Sequence, residues 1–301
     1  MSKFLCRLGL VILVATASSS NIYAYEMSDP WDEWSKTKED LSWPTTPVKY
    51  TDFANIENNL FLPATPNVSS AQAAVILIHA CAGITKGSAP DLRFWIKTMT
   101  EHGFYVLSMD QFAKGRGVTN CKRPRDVHEA RLAKDIFDAT AHLHSLPGVD
   151  KNRIFTLGFS MGTMAGQLAA SRSVYEKIAP GKPRPRAISG LYGGCQFLSK
   201  KTGNWFKYLL EDSDTPMMLL MGDNDLETPA EDCVPLIKEI QKKVPQTQYY
   251  VYQGATHCYD CKNMNGFSKT AINGKVVRYE YNEEATKDSV RRLIGFFNSF
   301  R

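Results

Sequence analysis

A predicted buried strand that runs directly into a serine between two glycines is the feature that most constrains this chain. Residues 153–157 are rich in β-branched and aromatic side chains, and the next five residues read Gly-Phe-Ser-Met-Gly, with Ser160 at the centre. This G-x-S-x-G pattern is typical of a nucleophile elbow, a tight turn between a strand and a helix. Side chains at Gly158 and Gly162 would collide with the neighbouring strand and helix. The pattern therefore predicts a solvent-facing Ser160 hydroxyl and a helix that begins at Met161.

Two later strands lead to the acid and the base that a serine nucleophile needs. The apolar run 216–221 is typical of a buried parallel strand, and the loop after it contains Asp223 and Asp225. The strand predicted at 249–252 ends shortly before His257, which is the only histidine downstream of the elbow. Serine, acid and histidine follow one another in the chain order expected for this kind of elbow. We therefore predict that three strand ends bring these side chains together.

The residue types indicate nucleophilic catalysis. A serine hydroxyl is a weak nucleophile at neutral pH, so His257 is expected to take the proton of Ser160 during attack. A carboxylate would orient the imidazole and stabilise the imidazolium ion that forms. Asp225 is preferred for this role because it lies deeper in the loop than Asp223, which directly follows the turn glycine. Asp223 is the alternative, as a solvated or turn-capping carboxylate.

A further loop is predicted to hold the oxyanion of the reaction. Residues 73–78 form another apolar strand, and the segment 79–83 reads His-Ala-Cys-Ala-Gly. One backbone N–H normally comes from the loop after such a strand, and a second comes from the residue that follows the nucleophile. We assign these two N–H groups to Cys81 and Met161, with a plain strand-to-helix turn as the alternative for the loop. His79 is expected to brace the loop.

These motifs resemble those of the dienelactone hydrolase-like branch of the α/β-hydrolases. Besides the elbow, five segments match: 75–83, 106–112, 116–118 together with Cys121, 222–229 and 254–257. In the first segment, Ala80 and Ala82 replace two glycines that are usual in the family. The resemblance implies an α/β-hydrolase fold, which is a single domain with a mostly parallel central sheet and helices on both faces. The family prototype has a cysteine nucleophile. Ser160 in that position favours general serine esterase chemistry over dienelactone as the substrate.

Composition agrees with a single α/β domain that acts on a small molecule. The chain has 301 residues, 43% of them hydrophobic, which is enough to bury one large core. Its net charge is +5, and assigning Lys3 and Arg7 to a leader leaves 34 basic against 31 acidic side chains. That excess is too small to predict nucleic-acid binding, and the basic cluster 122–125 is interpreted as a solvated loop face. No metal or organic cofactor is implied.

The first residues are typical of an export signal. Lys3 and Arg7 precede the apolar run 8–15, which is too short to span a bilayer but suits a secretory signal peptide. We therefore expect a secreted or periplasmic protein without a membrane span after signal removal. Cleavage is expected after Ala17 or Ala24, and the predicted divisions are a signal peptide at 1–24, an arm at 25–45 and the hydrolase domain at 46–301.

Export changes the interpretation of the cysteines, because disulfides form in oxidising compartments. Six cysteines remain after the leader is removed: Cys81, Cys121, Cys195, Cys233, Cys258 and Cys261. Cys81 and Cys121 lie in the loops after two neighbouring strands, so they are the first predicted pair. Cys258 and Cys261 are expected to stiffen the loop of His257, because the segment lacks the context of a redox or zinc motif.

Three further elements are predicted from local patterns. Apolar residues between 126 and 146 recur at helical spacing, and Asn282 is placed to cap a final helix. Asn273-Gly274, between the segments 269–272 and 275–281, indicates a type I′ hairpin turn. The irregular stretch 192–214 contains Trp205, Phe206 and Tyr208, and it is interpreted either as a packing insertion or as a pocket wall.

Together these features predict a secreted serine hydrolase that cleaves an ester, a lactone or a related acyl bond through an acyl-enzyme. Two alternatives stay open. One is a peptidase or amidase that uses the same three side chains, since the fold does not select the leaving group. The other is a catalytically silent protein that binds a partner through the same cleft.

Overall fold

The computed structural model describes residues 40–67, 69–116, 121, 127–198, 205–271 and 273–300. The predicted signal peptide, most of the predicted arm and the basic cluster 122–125 lie outside these residues. Where the arm is described, it packs on the domain: the side chain of Leu41 is buried, and Trp43 stacks on His142 with ring centroids 6.0 Å apart.

A seven-stranded sheet forms the centre of the fold. In sheet order its strands are β1 (Asn59–Phe61), β3 (Tyr105–Met109), β2 (Gln72–Ile78), β4 (Val149–Phe159), β5 (Ala187–Leu191), β8 (Met217–Gly222) and β9 (Gln248–Tyr252). β1 pairs with β3 in the antiparallel direction, and the other neighbouring strands are parallel. The sheet is therefore mostly parallel, as predicted, with an antiparallel edge strand that the sequence analysis did not predict.

Helices cover both faces of this sheet. On one face lie α1 (Ala89–Glu101) and α6 (Glu283–Asn298), and on the other lie α2 (Glu129–Ser145), α3 (Met161–Ala169), α4 (Arg172–Ile178) and α5 (Val234–Gln241). Side chains of β2 alternate between the two cores: Ile76 packs on one side, and Val75 and Leu77 pack on the other. A strand covered on both faces must be apolar throughout, which explains why β2 and β8 lack polar alternation.

Two short hairpins lie outside the central sheet. One pairs β6 (Gln196–Leu198) with β7 (Trp205–Lys207), and the other pairs β10 (Ser268–Thr270) with β11 (Val276–Arg278). The second hairpin lies where Asn273-Gly274 predicts one, but the predicted type I′ turn was wrong: residues 271–275 connect the strands, and of the two turn residues only Gly274 has a positive φ. The first lies within the stretch 192–214, so the description of that stretch as irregular was wrong.

The predicted helix boundaries are close to the observed ones. α2 lies within the interval predicted for it, at 126–146. The side chain of Asn282 accepts a hydrogen bond from the backbone N–H of Ala285 at 2.9 Å, which is the expected N-cap of α6. Among the helices described above, none has the length and apolar character that a membrane span requires.

The direction of the strands determines where the loops meet. β4, β8 and β9 run parallel to one another within the sheet, so their carboxyl ends lie along the same edge. Ser160, Asp225 and His257 lie in the segments that follow these three strands. Ligand sites of open α/β sheets form at this edge.

Candidate active site

Ser160 lies at a sharp turn between β4 and α3. Its φ of 50° and ψ of −110° fall in a region that residues with side chains rarely adopt. The turn leaves no room beside it: a Cβ atom on Gly158 would lie 2.4 Å from the carbonyl carbon of Gly162, and one on Gly162 would lie 2.2 Å from the carbonyl oxygen of Ile78. Both glycines are therefore required by close backbone approach.

The predicted serine, histidine and aspartate lie together at this edge of the sheet. The Nε2 atom of His257 is 3.1 Å from the Oγ atom of Ser160, and its Nδ1 atom is 2.8 Å from Oδ2 of Asp225. All three side chains are buried, with exposed fractions of 5% for Ser160, 4% for His257 and 2% for Asp225. Ser160 also lines two cavities, so it is reached through them rather than from an open surface.

The two candidate acids have different surroundings. Oδ1 of Asp225 accepts the backbone N–H groups of Glu227 and Thr228, each at 2.9 Å, and Oδ2 lies 2.7 Å from the Thr228 hydroxyl. Asp223 instead accepts the backbone N–H of Gly254 at 2.6 Å and ties its own loop to the turn after β9. The structure therefore brings Asp225 to the imidazole and gives Asp223 a turn-bridging contact.

The charges around His257 favour its protonated form. Burial lowers the pKa of His257, but the carboxylates of Asp225 and Glu227 and the hydrogen bond to Asp225 raise it by more, so the pKa lies above its ordinary value. Lys269 acts in the opposite direction, because its positive charge lowers the pKa. An imidazolium ion that forms at this position is consequently stabilised.

A second carboxylate, that of Glu227, lies close to the imidazole, and the sequence analysis did not identify it. Oε2 of Glu227 is 3.9 Å from Nε2 of His257. Its Oε1 accepts a hydrogen bond from Nζ of Lys269 at 2.9 Å, and Oε2 accepts one from the hydroxyl of Tyr279 at 3.0 Å. The available signal was a third carboxylate in the acid loop, two residues after Asp225.

The two residues assigned to the oxyanion lie on the wall of the cavity beside Ser160. Met161 is the first residue of α3, and Cys81 lies in the loop after β2. Within the described part of the chain, no acceptor takes the backbone N–H of Cys81. Backbone N–H groups in these positions can donate to a negatively charged oxygen that develops next to the serine.

His79 connects the loop after β2 to the end of β3. Its Nδ1 atom lies 2.8 Å from the carbonyl oxygen of Ala80, and its Nε2 atom accepts the backbone N–H of Gln111 at 3.1 Å. Burial lowers the pKa of His79, so the neutral imidazole is favoured. These contacts agree with the predicted bracing role.

Three disulfides surround the site. They join Cys81 to Cys121, Cys195 to Cys233, and Cys258 to Cys261. The first is the pair that the sequence analysis placed first, and it anchors the loop of Cys81. The third follows His257 directly, and its two sulfurs lie near the carboxylate of Asp260. Because these sulfurs are bonded to each other, they are not thiolates that could hold a zinc ion.

Ser160 lies at the boundary of two cavities, one of about 300 Å³ and one of about 170 Å³, and Cys81 and Cys121 also line both. The larger cavity is lined both by polar side chains, among them Gln196, Glu227, Asp232, Asn273 and Lys275, and by apolar ones, among them Met164, Phe197, Leu198 and Pro229. The smaller cavity is lined mainly by apolar and aromatic side chains, which are Leu92, Trp95, Phe159, Tyr192, Met264, Phe267 and Tyr279, and also by charged ones such as Asp91, Asp260 and Lys269. The two sides of the nucleophile therefore differ in both size and polarity.

The stretch 192–214 forms part of the wall of the larger cavity. Phe197 and Leu198 of β6 line it together with Tyr208, whose ring also packs against Phe206 with centroids 4.8 Å apart. Both interpretations of this stretch therefore hold in part, since Tyr208 is 1% exposed and also contributes to the core.

The sequence model of the dienelactone hydrolase family matches residues 60–301 of this chain. No curated protein matches the chain at a significant level.

Among solved structures, the chain is similar to a Klebsiella pneumoniae protein assigned to the dienelactone hydrolases, with 18% identity, a TM-score of 0.55 and coverage of 78% of this chain and 90% of that one. An esterase from Thermogutta terrifontis has 15% identity and a TM-score of 0.55, over 80% of this chain and 88% of that one. A dienelactone hydrolase-like promiscuous phosphotriesterase from metagenomic libraries has 17% identity and a TM-score of 0.53, over 77% and 87%. At these identities the likeness establishes a shared fold.

Proposed function

The chain belongs to the dienelactone hydrolase family, with its α/β-hydrolase fold, and from this premise we propose that it is a serine esterase. Members of this family are hydrolases, so the proposal concerns the nucleophile, the type of bond and the substrate. The single observation that carries it is the line of hydrogen bonds from Asp225 through His257 to Ser160. This is the geometry of an activated serine nucleophile.

In the proposed mechanism, the Oγ atom of Ser160 attacks the ester carbonyl carbon while Nε2 of His257 takes the hydroxyl proton. The carbonyl oxygen becomes an oxyanion, which accepts hydrogen bonds from the backbone N–H groups of Cys81 and Met161. The imidazolium then gives its proton to the leaving alcohol, and the acyl group stays on Ser160. Water attacks this acyl-enzyme with His257 as the base, which releases the acid and restores the serine.

Asp225 would keep the imidazole in the productive orientation. Its carboxylate accepts two backbone N–H groups of its own loop, so it is held in place before the substrate binds. The hydrogen bond from Nδ1 of His257 places the neutral imidazole's free acceptor, Nε2, towards Ser160. Preorganisation of this kind lowers the reorganisation needed in the transition state.

The two cavities support a substrate class in which a compact apolar group and a larger group of mixed polarity flank the ester bond. The smaller cavity, about 170 Å³, is close to the volume of about 150 Å³ that holds one benzene molecule in an engineered protein cavity. It would therefore take a single ring or a short alkyl chain. The larger cavity combines the polar groups of Gln196 and Lys275 with apolar side chains such as Phe197 and Leu198, which suits a larger partner of mixed polarity.

A panel of substrates on the purified mature protein tests this proposal. We expect turnover of p-nitrophenyl esters with acyl groups up to the size of one ring, a steep loss for acyl chains that exceed the smaller cavity, and little turnover of matched anilides. Trp95→Ala should recover the longer chains, because the indole of Trp95 lines the smaller cavity. Faster hydrolysis of the anilides than of the esters would support an amidase instead.

A fluorophosphonate probe separates an active serine from a silent binding site. The probe should label the wild-type protein and leave Ser160→Ala unlabelled, because it reacts with a serine that has an adjacent base. Folded wild-type protein that stays unlabelled would contradict the proposed chemistry and favour a binding role.

We further propose that the protein acts outside the cytoplasm. The sequence pattern at 1–24 is that of a signal peptide, and three disulfides in the described chain suit an oxidising compartment. Fractionation of cells that produce the full chain, with N-terminal sequencing of the mature protein, tests export and the cleavage site together.

A further inference from the structure

Glu227 has no part in the mechanism above, although its carboxylate lies beside the reacting atoms. Its Oε2 atom is 3.9 Å from Nε2 of His257, which is the nitrogen that faces Ser160. Asp225 contacts the opposite nitrogen, Nδ1, at 2.8 Å. The imidazole therefore lies between two carboxylates, one on each side of the ring.

The position of Glu227 is determined by contacts from two parts of the chain. Its backbone N–H donates to Oδ1 of Asp225, which links the two acidic residues within one loop. Its carboxylate accepts hydrogen bonds from Lys269 in β10 and from Tyr279, just after β11. The side chain is 13% exposed, so the hairpin holds it in a largely buried place. An unconstrained surface carboxylate would have neither contact.

Glu227 is ionised in this setting. Burial raises the pKa of Glu227, but the charges of His257 and Lys269 lower it by more, so the pKa lies below its ordinary value. A negative charge at this distance stabilises a positive charge on the imidazole, and the partial burial of both groups reduces the screening by water. The ammonium group of Lys269 opposes that effect.

Besides Asp225, Glu227 and Lys269, two tyrosines and a further carboxylate lie around the imidazole of His257. The ring of Tyr192 lies 4.9 Å from that of His257, and the ring of Tyr279 lies 5.4 Å from it, centroid to centroid, but neither carries a charge at neutral pH. Asp260 also interacts with His257, and burial raises the pKa of its carboxyl. The titratable or charged groups that face the imidazole are Asp225, Glu227, Asp260, Lys269, Tyr192 and Tyr279.

We propose that Glu227 is a positioning residue that stabilises positive charge on His257 from the Nε2 side, and that Lys269 of the β10–β11 hairpin limits its effect. Through Glu227 and Lys269, the β10–β11 hairpin sets the pH range in which His257 is neutral and can act as the base. During the reaction, Glu227 and Lys269 would act when the proton of Ser160 reaches Nε2 of His257. The imidazolium ion then lies next to the carboxylates of both Asp225 and Glu227. The role in catalysis rests on the proposed esterase function, whereas the effect on protonation does not.

The first test therefore measures protonation without turnover. NMR titration of the His257 ring in a Ser160→Ala background gives the pKa of the imidazole directly. Adding Glu227→Gln should lower that pKa, and adding Lys269→Met should raise it, because one substitution removes a negative charge and the other a positive one. Glu231→Gln is the matched control, since Glu231 is an exposed carboxylate four residues further along the chain. Its pKa effect on His257 should be negligible.

The second test uses the active enzyme. Because the neutral imidazole is the base, the acid limb of kcat/KM should move to lower pH in Glu227→Gln and to higher pH in Lys269→Met. At the alkaline plateau, kcat of Glu227→Gln should fall about tenfold, the scale of one charge-assisted contact to a developing ion. Tyr279→Phe removes a hydrogen bond to Glu227 without a change of charge, so its acid limb should stay close to that of the wild type.

The outcomes separate the proposal from its alternatives. A merely structural Glu227 would lower kcat or raise KM at every pH and leave the pKa of His257 unchanged, which would overturn the proposal. Shifts of the same sign in Glu227→Gln and Lys269→Met would overturn it as well. Opposite shifts in the NMR titration with no esterase activity in the wild type would leave the charge pair established and reject the proposed function instead.

Discussion

The Oγ atom of Ser160 and the Nε2 atom of His257 lie 3.1 Å apart, although the two residues are 97 positions apart in the chain. The contact exists because β4 and β9 end at the same edge of a parallel sheet, so the turn after each strand reaches the same place. Its chemical consequence is that the serine proton has an acceptor within hydrogen-bond reach.

Replacement of Ser160 by alanine should abolish esterase activity and leave the fold intact. The loss in kcat should reach up to ~10⁶-fold, by analogy with the removal of the nucleophile in subtilisin. The measurement is p-nitrophenyl ester hydrolysis at saturating substrate, with circular dichroism as the control for folding. A folded variant that retains wild-type turnover would remove Ser160 from the mechanism.

The two aspartates of the acid loop should differ strongly in their importance. Asp225→Asn removes the charge that faces the imidazole and should lower kcat by about 10⁴-fold, as the equivalent change does in a serine protease triad. Asp223→Asn keeps the shape of a side chain that bonds the backbone of Gly254, so kcat should change little. Parallel kinetics of the two variants decide the assignment, and the reverse order would transfer the role to Asp223.

The pH profile should reflect the raised pKa of His257. The base is active when neutral, so kcat/KM should fall as the pH drops through the pKa of the imidazole. Since burial lowers this pKa but Asp225 and Glu227 raise it by more, the acid limb should lie above 6.5, the ordinary value for histidine. The pH profile is obtained from initial rates between about pH 5 and 9, measured at a fixed ionic strength with a substrate that does not titrate. A midpoint below 6.5 would contradict the sign of the shift.

The elbow should not tolerate a methyl group at Gly162. A Cβ atom there would lie 2.2 Å from the carbonyl oxygen of Ile78, so Gly162→Ala must displace the backbone of either α3 or β2. We expect a loss of more than about 3 kcal/mol in the free energy of unfolding, together with loss of activity.

Gly295→Ala is the matched control for this substitution. Gly295 lies within α6, has no atom within 4 Å of an added Cβ and is exposed. Alanine there should raise the free energy of unfolding by up to about 1 kcal/mol, because it is the better helix former. Denaturant titrations of both variants make the comparison, and similar effects of the two would show that the elbow is less crowded than the structure indicates.

The disulfides should be present in the exported protein and should stabilise it. Alkylation before and after reduction, followed by intact mass measurement, should count three disulfides among the six cysteines that follow the leader. Replacing the buried pair Cys195 and Cys233 by alanine opens a loop with a sequence separation of 38 residues. The free energy of unfolding should fall by about 4 kcal/mol. Six free thiols in purified mature protein would contradict both the stabilisation and the proposed export.

Local patterns were sufficient for the elements that carry the site. The apolar runs before Ser160 and before the acid loop identified β4 and β8, because a strand buried on both faces has few residue types available. The chain order of serine, acid and histidine restricted the base to His257. Asn282 as a cap and Asn273-Gly274 as a turn were also readable, since both depend on contacts within a few residues.

Three features could not be read from the sequence because they depend on residues that are distant in the chain. β1 has only three residues and owes its place to its pairing with β3. Ser160 lines two cavities whose walls come from segments distant in the chain, so it is only 5% exposed. Glu227 gains its significance from Lys269 and Tyr279, which lie more than forty positions later in the chain.

The sequence by itself determined the mostly parallel α/β architecture, the elbow and the set of residues that could perform nucleophilic catalysis. These follow from backbone sterics, hydrophobic periodicity and chain order, which act locally. Only the tertiary structure decided which aspartate faces the imidazole, how two cavities divide the space around Ser160 and which second carboxylate lies beside His257. Such relationships depend on distances of a few ångströms between separate strand ends, and those distances exist only once the sheet has assembled.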